Sequence, residues 1–358
     1  MRPLTFGVGP SRLSDETIQD LQKALELGIP EISHRSAQFT AISKEAVDGL
    51  RTFFAIPEDY AVFFTTSATE AIELTIRNLV RHRSAHFANG RFSELYAETA
   101  TANGKTAQVI SAPWGMLPKY DASLIAPGAE LITITANETS TGVLCSNEDI
   151  LRIRKQRPDH LLAVDITSIA GMKVFPIAAA DIWLFSVQKG FGLPAGLGVL
   201  IVSPRAITRS AELERDGENR AGIFTFAAME KIMREKYQTI CTPNVFAIYA
   251  LSEELKRWNA EGGCAAKEQE TQAKADLVYA AVSGRSQWKC FVEKPDIRSI
   301  SIACIQGEEA AIEQLHSRAK EQNMLLGKGY GKIKATTARI ALFPAIGEKE
   351  LQRLLEIL

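Results

Sequence analysis

Residues 181–202, DIWLFSVQKGFGLPAGLGVLIV, contain one lysine between two strongly apolar runs. The runs 182–187 and 197–202 are short, rich in branched and aromatic side chains and bounded by Gly and Pro, a pattern typical of buried strands. The pattern therefore places Lys189 in the turn between two strands. A turn lysine is usually solvated, but a lysine in a cleft loses its proton more easily and can form a Schiff base.

A carboxylate closes another apolar run at Asp165, in the segment LLAVDITSIAG. Removing a carboxylate from water is costly unless it meets a positive partner, so Asp165 is either a cap or solvated strand end or half of a charge pair. In open α/β sheets, ligands bind beyond the carboxyl ends of the strands. Both Asp165 and Lys189 are expected at such ends.

A third polar cluster lies in AVFFTTSATEAIELTIRNLV, which reads as a strand, a run of small hydroxyl residues and a helix. Residues 67–69 are simple N-caps in one interpretation. In the other they form a phosphate site, because free N–H groups and the positive end of the helix dipole point at the ligand. The chain has no GxxxxGK[ST] or GxGxxG motif, so a nucleotide loop is not indicated.

A phosphate-binding helix start, a buried carboxylate and a cleft lysine are together the elements that hold pyridoxal phosphate. The carboxylate keeps the pyridine nitrogen protonated, so that the ring withdraws electrons. The lysine forms the Schiff base with the cofactor and transfers the substrate proton. Each signal is weak alone, and the combination is specific.

The elements that must position these residues form an α/β pattern. Five short apolar runs without alternation indicate strands that are covered on both faces, as in a largely parallel sheet flanked by helices; they are 61–64, 131–135, 161–165, 182–187 and 197–202. After a break at 261–263, helices are predicted at 267–282, 308–322 and 348–358, and strands at 299–305 and 338–343. We expect a large domain over residues 16–257 and a smaller α/β domain over 258–358 together with 1–15.

Composition excludes several classes of protein. The 358 residues carry 41 Lys+Arg against 42 Asp+Glu and no long basic stripe, so nucleic acid is not an expected partner. Gly and Pro interrupt the N-terminus before a signal-peptide core, and no run approaches the roughly 18 apolar residues of a membrane span. A cytoplasmic protein is expected. Five scattered cysteines and five unclustered histidines predict neither a disulfide framework nor a metal site.

Nearly the whole chain, from FGVGPSRLS to TTARIALFPAIGEKELQRLLEIL, resembles the fold-type I pyridoxal-phosphate enzymes of the class V aminotransferase group, and within it the phosphoserine aminotransferase branch. The most specific motifs are SHR followed by x-x-F, and QK-x-x-G-x-x-AGL. The resemblance implies a mostly parallel seven-stranded sheet in the large domain and a homodimer with shared active sites. It also implies the conversion of 3-phosphohydroxypyruvate and glutamate to phosphoserine and 2-oxoglutarate, a step of serine biosynthesis.

The resemblance also assigns roles around the cofactor. Lys189 resembles the Schiff-base lysine, and Asp165 resembles the partner of the pyridine nitrogen. Thr139 in NETSTG would reach the ring hydroxyl, and Phe92 in NGRF stands where the family usually has a tryptophan stacked on the ring. The cofactor phosphate would be held by Ser67, Ala68, Thr69 and Gln188, joined by Thr242 of the neighbouring subunit.

Substrate recognition is where this chain departs from the family. Arg339 resembles the arginine that binds the substrate carboxylate, and His34 and Arg35 resemble residues offered across the dimer interface to the substrate phosphate. The usual Gly-His-Arg is replaced by GKGYGKIK, so that Lys328, with Tyr330 nearby, is the candidate for the missing phosphate ligands. The Gly-Gly-rich phosphate turn is TTSAT here, and Glu70 stands near the place of a family arginine.

Three alternatives to a phosphoserine enzyme remain open. One is a class V enzyme that uses alanine or serine with glyoxylate, because STGVL after Glu138 also resembles that branch. The second is a pyridoxal-fold binding or regulatory protein without catalysis, against which Lys189 and Asp165 argue. A cysteine desulfurase is the third and is disfavoured, because no cysteine stands in a recognisable catalytic loop.

Overall fold

A computed structural model describes residues 3–358, so Met1 and Arg2 of the expected small domain lie outside the described residues. The strands, in chain order, are β1 (Leu4–Phe6), β2 (Ala61–Thr65), β3 (Arg83–Ala88), β4 (Thr106–Ser111), β5 (Leu131–Thr135), β6 (Asn137–Glu138), β7 (Val143–Leu144), β8 (Leu161–Asp165), β9 (Ile182–Ser186), β10 (Gly198–Val202), β11 (Trp288–Cys290), β12 (Ile302–Gly307), β13 (Met324–Lys328) and β14 (Thr337–Ala341).

The α-helices cover both sheets and connect most of these strands. They are α1 (Asp15–Glu26), α2 (Ala37–Phe54), α3 (Ala68–Leu79), α4 (Arg91–Ala102), α5 (Asn147–Gln156), α6 (Pro204–Arg215), α7 (Phe226–Lys236), α8 (Val245–Ala260), α9 (Gly263–Ser283), α10 (Glu309–Glu321) and α11 (Glu348–Ile357). In the described part of the chain, none of these helices combines the length and the apolar character needed to cross a membrane.

The large sheet has seven strands in the order β2-β10-β9-β8-β5-β3-β4. Neighbours from β9 to β4 pair in parallel, and only β10 runs antiparallel, against both β2 and β9. The prediction of a mostly parallel seven-stranded sheet flanked by helices is confirmed. All residues of β2, β5, β8, β9 and β10 are buried, which explains why these strands appear as continuous apolar runs.

The second sheet has the order β1-β13-β14-β12-β11. Strand β1 pairs in parallel with β13, with Leu4 opposite Met324, so the N-terminal segment joins a sheet built otherwise from residues after 287. The domain boundaries at residues 16 and 258 stay a prediction.

The topology brings the three polar clusters to one edge of the large sheet. Because β10 is antiparallel to both β2 and β9, the strands β2, β9 and β8 run in the same direction. Gly198 of β10 lies opposite both Thr65 and Ser186, so β2 and β9 end at the same level. The helix start after β2, Asp165 at the end of β8 and Lys189 after β9 therefore share the carboxyl edge, where ligands bind in such sheets.

Candidate active site

Lys189 lies under the N-terminal segment of the chain. Its ammonium Nζ donates a hydrogen bond to the Val8 carbonyl at 2.8 Å, and the Ser11 hydroxyl donates to the Lys189 carbonyl at 2.7 Å. Burial and then the charge of Arg339 lower the pKa of Lys189 to about 8, while the Asp165 charge acts in the opposite direction. The lysine is therefore not a solvated turn residue but a half-buried amine that loses its proton more easily than a free lysine.

Asp165 is buried, with 5% of its surface exposed, and its Oδ1 accepts a hydrogen bond from the Thr167 N–H at 2.8 Å. Burial raises the pKa of Asp165 to about 6, although the hydrogen bonds from Thr167 act to lower it. Within residues 3–358, no lysine or arginine forms an ion pair with this carboxylate. A buried carboxylate of this kind is stabilised by a ligand that brings a positive charge or a strong N–H donor.

Two buried side-chain atoms beside these residues also have no hydrogen-bond partner among the described residues: Gln188 Oε1 and Thr167 Oγ1. Buried polar atoms are normally paired, so their position next to Asp165 and Lys189 indicates a ligand with polar groups. Pyridoxal phosphate fits this set. When bound, it supplies an aldehyde for the lysine amine and a protonated ring that withdraws electrons from the substrate carbon.

The start of α3 combines helix caps with free donors. Ser67 Oγ accepts a hydrogen bond from the Glu70 N–H at 3.2 Å, the Glu70 carboxylate accepts one from the Thr66 N–H, and the Ala68 N–H donates to Ser186 Oγ at 2.7 Å. The N–H groups of Ser67 and Thr69 make no hydrogen bond within the part of the chain that the structure describes. The N-cap interpretation therefore holds for Ser67, and the phosphate roles of Ser67, Ala68 and Thr69 stay a prediction.

Arg339 of β14 is held in place by two backbone carbonyls. Its Nε donates to the Lys328 carbonyl at 2.8 Å, and one terminal nitrogen donates to the Thr139 carbonyl at 3.0 Å. Only 7% of its surface is exposed. A guanidinium has five N–H donors, so three remain for a ligand, which suits a carboxylate. The predicted contact of Thr139 with the ring hydroxyl of the cofactor would involve the Thr139 side chain and not this carbonyl, and it stays a prediction.

Phe92 is positioned by a residue that the sequence analysis did not single out. The Glu138 carboxylate, fully buried, accepts hydrogen bonds from the N–H groups of Phe92 and Ser93 at 3.1 and 2.9 Å and so caps α4. Gly90, just before the helix, permits this because a Cβ there would lie 2.4 Å from Glu138 Cγ. A glycine before a helix provides no side-chain cap, and this is the signal from which a distant capping carboxylate could have been predicted.

The structure does not bring the Lys328 side chain together with Arg339. Lys328 pairs with Ala338, and Arg339 pairs with Gly327, so the two side chains project from opposite faces of the small sheet. On the face of Lys328 lies α10, where burial and then the Lys328 charge lower the pKa of His316. The register thus gives no support to Lys328 as a ligand of the substrate phosphate.

Arg35 is hydrogen-bonded to the segment that precedes Thr242. The Arg35 guanidinium donates to Gln238 Oε1 at 3.3 Å and to the carbonyls of Thr239 and Ile240 at 2.8 and 3.0 Å. His34 is half-buried next to it, and burial followed by the Arg35 charge lowers the pKa of this imidazole. The action of His34, Arg35 and Thr242 across a dimer interface stays a prediction.

Thr242 is exposed and lines a cavity of about 100 Å³ together with Thr66 and Glu70 of the same chain. This cavity lies beside the start of α3 and does not include Lys189 or Arg339. The exposed segment around Thr242 is thus adjacent to the predicted phosphate site of its own chain.

Comparison with known proteins agrees with this site. Residues 5–354 match the family model described as "Aminotransferase class-V". A crystal structure of a phosphoserine aminotransferase from Cytophaga hutchinsonii is 32% identical, with a TM-score of 0.94 over 99% of this chain and 98% of that one. A phosphoserine aminotransferase of Rhodococcus opacus is 28% identical over 98% of this chain and 92% of that protein.

The fold is shared more widely. An alanine–glyoxylate aminotransferase from Nostoc sp. is 21% identical, with a TM-score of 0.86 over 100% of this chain and 94% of that one, which shows a common fold. The match of the family model to almost the whole chain is decisive, since it includes Lys189, Asp165 and Arg339. The chain therefore belongs to the class V aminotransferase family and is a pyridoxal-phosphate-dependent aminotransferase of fold type I.

Proposed function

We propose that the chain is a phosphoserine aminotransferase, which transfers the amino group of glutamate to 3-phosphohydroxypyruvate and forms phosphoserine and 2-oxoglutarate in serine biosynthesis. The observation that carries the proposal is the grouping of Asp165 and Arg339 around Lys189, because the charges of both residues act on the Lys189 amine. The names of the Cytophaga hutchinsonii and Rhodococcus opacus proteins support the choice of substrate.

Each of the three residues has a distinct task in this reaction. The Lys189 amine takes the proton from the substrate α-carbon and returns a proton to the product, for which it must be neutral. Lowering its pKa from 10.5 to about 8 raises the neutral fraction at pH 7 from about 0.03% to about 10%. Asp165 holds the proton on the pyridine nitrogen, and Arg339 orients the substrate carboxylate in its bidentate fork.

Recognition of the substrate phosphate is proposed to depend on a second subunit. A phosphate dianion in a partly dry site needs about two or more charge-assisted donors. His34 and Arg35 of a neighbouring chain would supply them. The hydrogen bonds of Arg35 to residues 238–240 would keep Thr242 close to these two residues, so that all three reach the same site. We therefore propose a homodimer with shared sites that acts in the cytoplasm.

A second candidate function is favoured by one observation. The family's Gly-His-Arg is replaced by GKGYGKIK, in which the spacing differs and no arginine is present, and Lys328 faces α10 instead of Arg339. Both features weaken recognition of a phosphorylated side chain. A class V aminotransferase that uses alanine or serine with glyoxylate is therefore the alternative.

A panel of amino donors tests the proposal. The purified enzyme is mixed with phosphoserine, serine, alanine or glutamate, and conversion of the bound cofactor is followed by its absorption. Hydrogen bonds to charged groups contribute about 1.5 to 3 kcal/mol each, so two of them predict a kcat/KM for phosphoserine about 10² to 10⁴ times that for serine. Arg35→Ala should narrow this ratio and leave turnover of serine nearly unchanged.

The possible results separate the alternatives. A wild-type enzyme that prefers alanine or serine would replace the phosphoserine assignment with the glyoxylate-type activity. A protein that holds the cofactor and converts no donor would instead be the non-catalytic binding protein.

A further inference from the structure

Tyr330 connects the two parts of the molecule that form the site. Its ring centroid lies 5.8 Å from that of Phe92, with 46° between the planes, and 5.3 Å from Cζ of Arg339. Phe92 belongs to α4 on the large sheet, whereas Arg339 belongs to β14 of the small sheet. A single side chain thus contacts both the residue proposed to stack on the cofactor and the residue proposed to bind the substrate carboxylate.

The two residues after Tyr330 contact Trp114, in the loop that follows β4. A Cβ on Gly331 would lie 3.0 Å from the Trp114 ring, and the Lys332 ammonium lies 4.9 Å from the centre of that ring. The Trp114 indole N–H donates in turn to Glu94 of α4 at 3.1 Å. Residues 330–332, which lie between β13 and β14 of the small sheet, therefore contact both α4 and Trp114.

We infer that Tyr330 is the positioning residue for Arg339, and that it acts through its ring, not through its hydroxyl group. The Thr139 and Lys328 carbonyls hold the guanidinium by its edges, while the Tyr330 ring contacts it by cation–π attraction. Together these contacts fix the orientation of the remaining N–H donors toward a substrate carboxylate.

The surroundings of the hydroxyl group agree with this role. The Tyr330 hydroxyl makes no hydrogen bond within residues 3–358, and 36% of the residue is exposed. The cation–π contact is strengthened because Arg339 itself is almost completely buried. The inference deepens the proposed function, since it rests on Arg339 as the carboxylate ligand, and it applies to every amino acid donor alike.

Binding of 2-methylalanine tests this role independently of the natural donor. This amino acid carries the common α-carboxylate but no hydrogen on the α-carbon, so it binds without being turned over. Its Kd is measured from the absorption change of the holoenzyme for wild type, Tyr330→Leu and Tyr330→Phe. Lys334→Ala is the matched control, because this lysine is exposed and lies four positions further along the same segment.

Loss of the ring should weaken binding of 2-methylalanine about tenfold, with a range of about threefold to thirtyfold for a cation–π contact with a buried guanidinium. Tyr330→Phe and Lys334→Ala should stay within about twofold of wild type, because both retain the ring. For any donor that is turned over, Tyr330→Leu should raise KM by a similar factor and change kcat less than about threefold.

Several results would overturn the inference. Wild-type affinity in Tyr330→Leu would show that the ring does not position Arg339, and an equal loss in Tyr330→Phe would assign the effect to the hydroxyl group. A loss confined to phosphoserine, with 2-methylalanine unaffected, would place Tyr330 at the substrate phosphate. If Tyr330→Leu does not retain cofactor, Tyr330→Met provides the same comparison. A wild-type preference for alanine would refute the proposed function but not this role of Tyr330.

Discussion

A side chain at Gly9 would collide with the reactive lysine, so Gly9→Ala is a sharp test of the site. A Cβ at this position would lie 2.1 Å from Lys189 Nζ and 2.6 Å from its Cδ and Cε. The φ angle of Gly9 is +133°, a region that residues with a side chain rarely adopt. The methyl group and the lysine cannot both occupy their places.

The expected loss is catalytic more than structural. Backbone strain at such a position costs about 1 to 3 kcal/mol, which a chain of this size tolerates. The contact is with the flexible end of a side chain, so the lysine moves and its Nζ leaves the Val8 carbonyl. A displacement of about 1 Å from a reactive geometry lowers rates by about 10². We therefore expect kcat/KM to fall about 10²-fold or more while the protein remains folded.

Borohydride reduction followed by peptide mapping measures how much cofactor is attached to Lys189, and thermal unfolding measures the cost to stability. Gly104→Ala is the matched control, because Gly104 also has a positive φ of +71°, but a Cβ added there would have no heavy atom within 4 Å. Wild-type attachment and turnover in Gly9→Ala would refute the reasoning. Equal losses in both variants would assign the effect to backbone strain instead of contact with Lys189.

Two further predictions concern the carboxylate and the subunit arrangement. Asp165→Asn should retain cofactor but lose activity by about 10² or more, because a neutral amide does not hold the proton on the pyridine nitrogen; an equally active variant would make Asp165 structural. With phosphoserine as the donor, mixing Lys189→Ala chains, which are inactive, with Arg35→Ala chains, whose turnover of phosphoserine is low, should restore up to about a quarter of wild-type activity, since half of randomly exchanged dimers are hybrids with one intact site. Mixtures of Lys189→Ala with Asp165→Asn should stay inactive, because both residues serve the same chain's site; hybrids as inactive as this control would show that Arg35 does not act across the interface.

The buried strands were predictable because their residues are apolar on both faces. The bounds predicted for 131–135 and 161–165 coincide with β5 and β8. Strand β3, RSAHFA, was not among the predicted runs because its buried residues include Ser84 and His86. Burial lowers the pKa of His86 to about 3, and the neutral ring is hydrogen-bonded to Ser84 and Thr133 at 2.7 and 2.8 Å. A local pattern cannot reveal that such polar residues have partners in the fold.

The residues of the site also divide into those that a local sequence pattern reveals and those that it does not. Lys189 and Asp165 were recognisable because each interrupts or closes an apolar run. The contacts that orient the site join distant parts of the chain, as between Glu138 and the start of α4 or between Tyr330 and Phe92. Local periodicity contains no information about such pairs, because they form only when distant parts of the chain pack together in the fold.

The small sheet connects the lysine end of the site to its carboxylate end. Strand β1 leads to Val8, whose carbonyl accepts the Lys189 hydrogen bond, and β1 pairs with β13 beside Arg339. At Gly327, a Cβ would lie 3.4 Å from both Val8 Cγ1 and Arg339 Cβ, so these two segments pack closely around one glycine. The position of the small sheet therefore sets both the contact with Lys189 and the place of the guanidinium. Gly9→Ala perturbs the first of these contacts and Tyr330→Leu the second, so different measurements should respond: cofactor attachment in one variant and carboxylate affinity in the other.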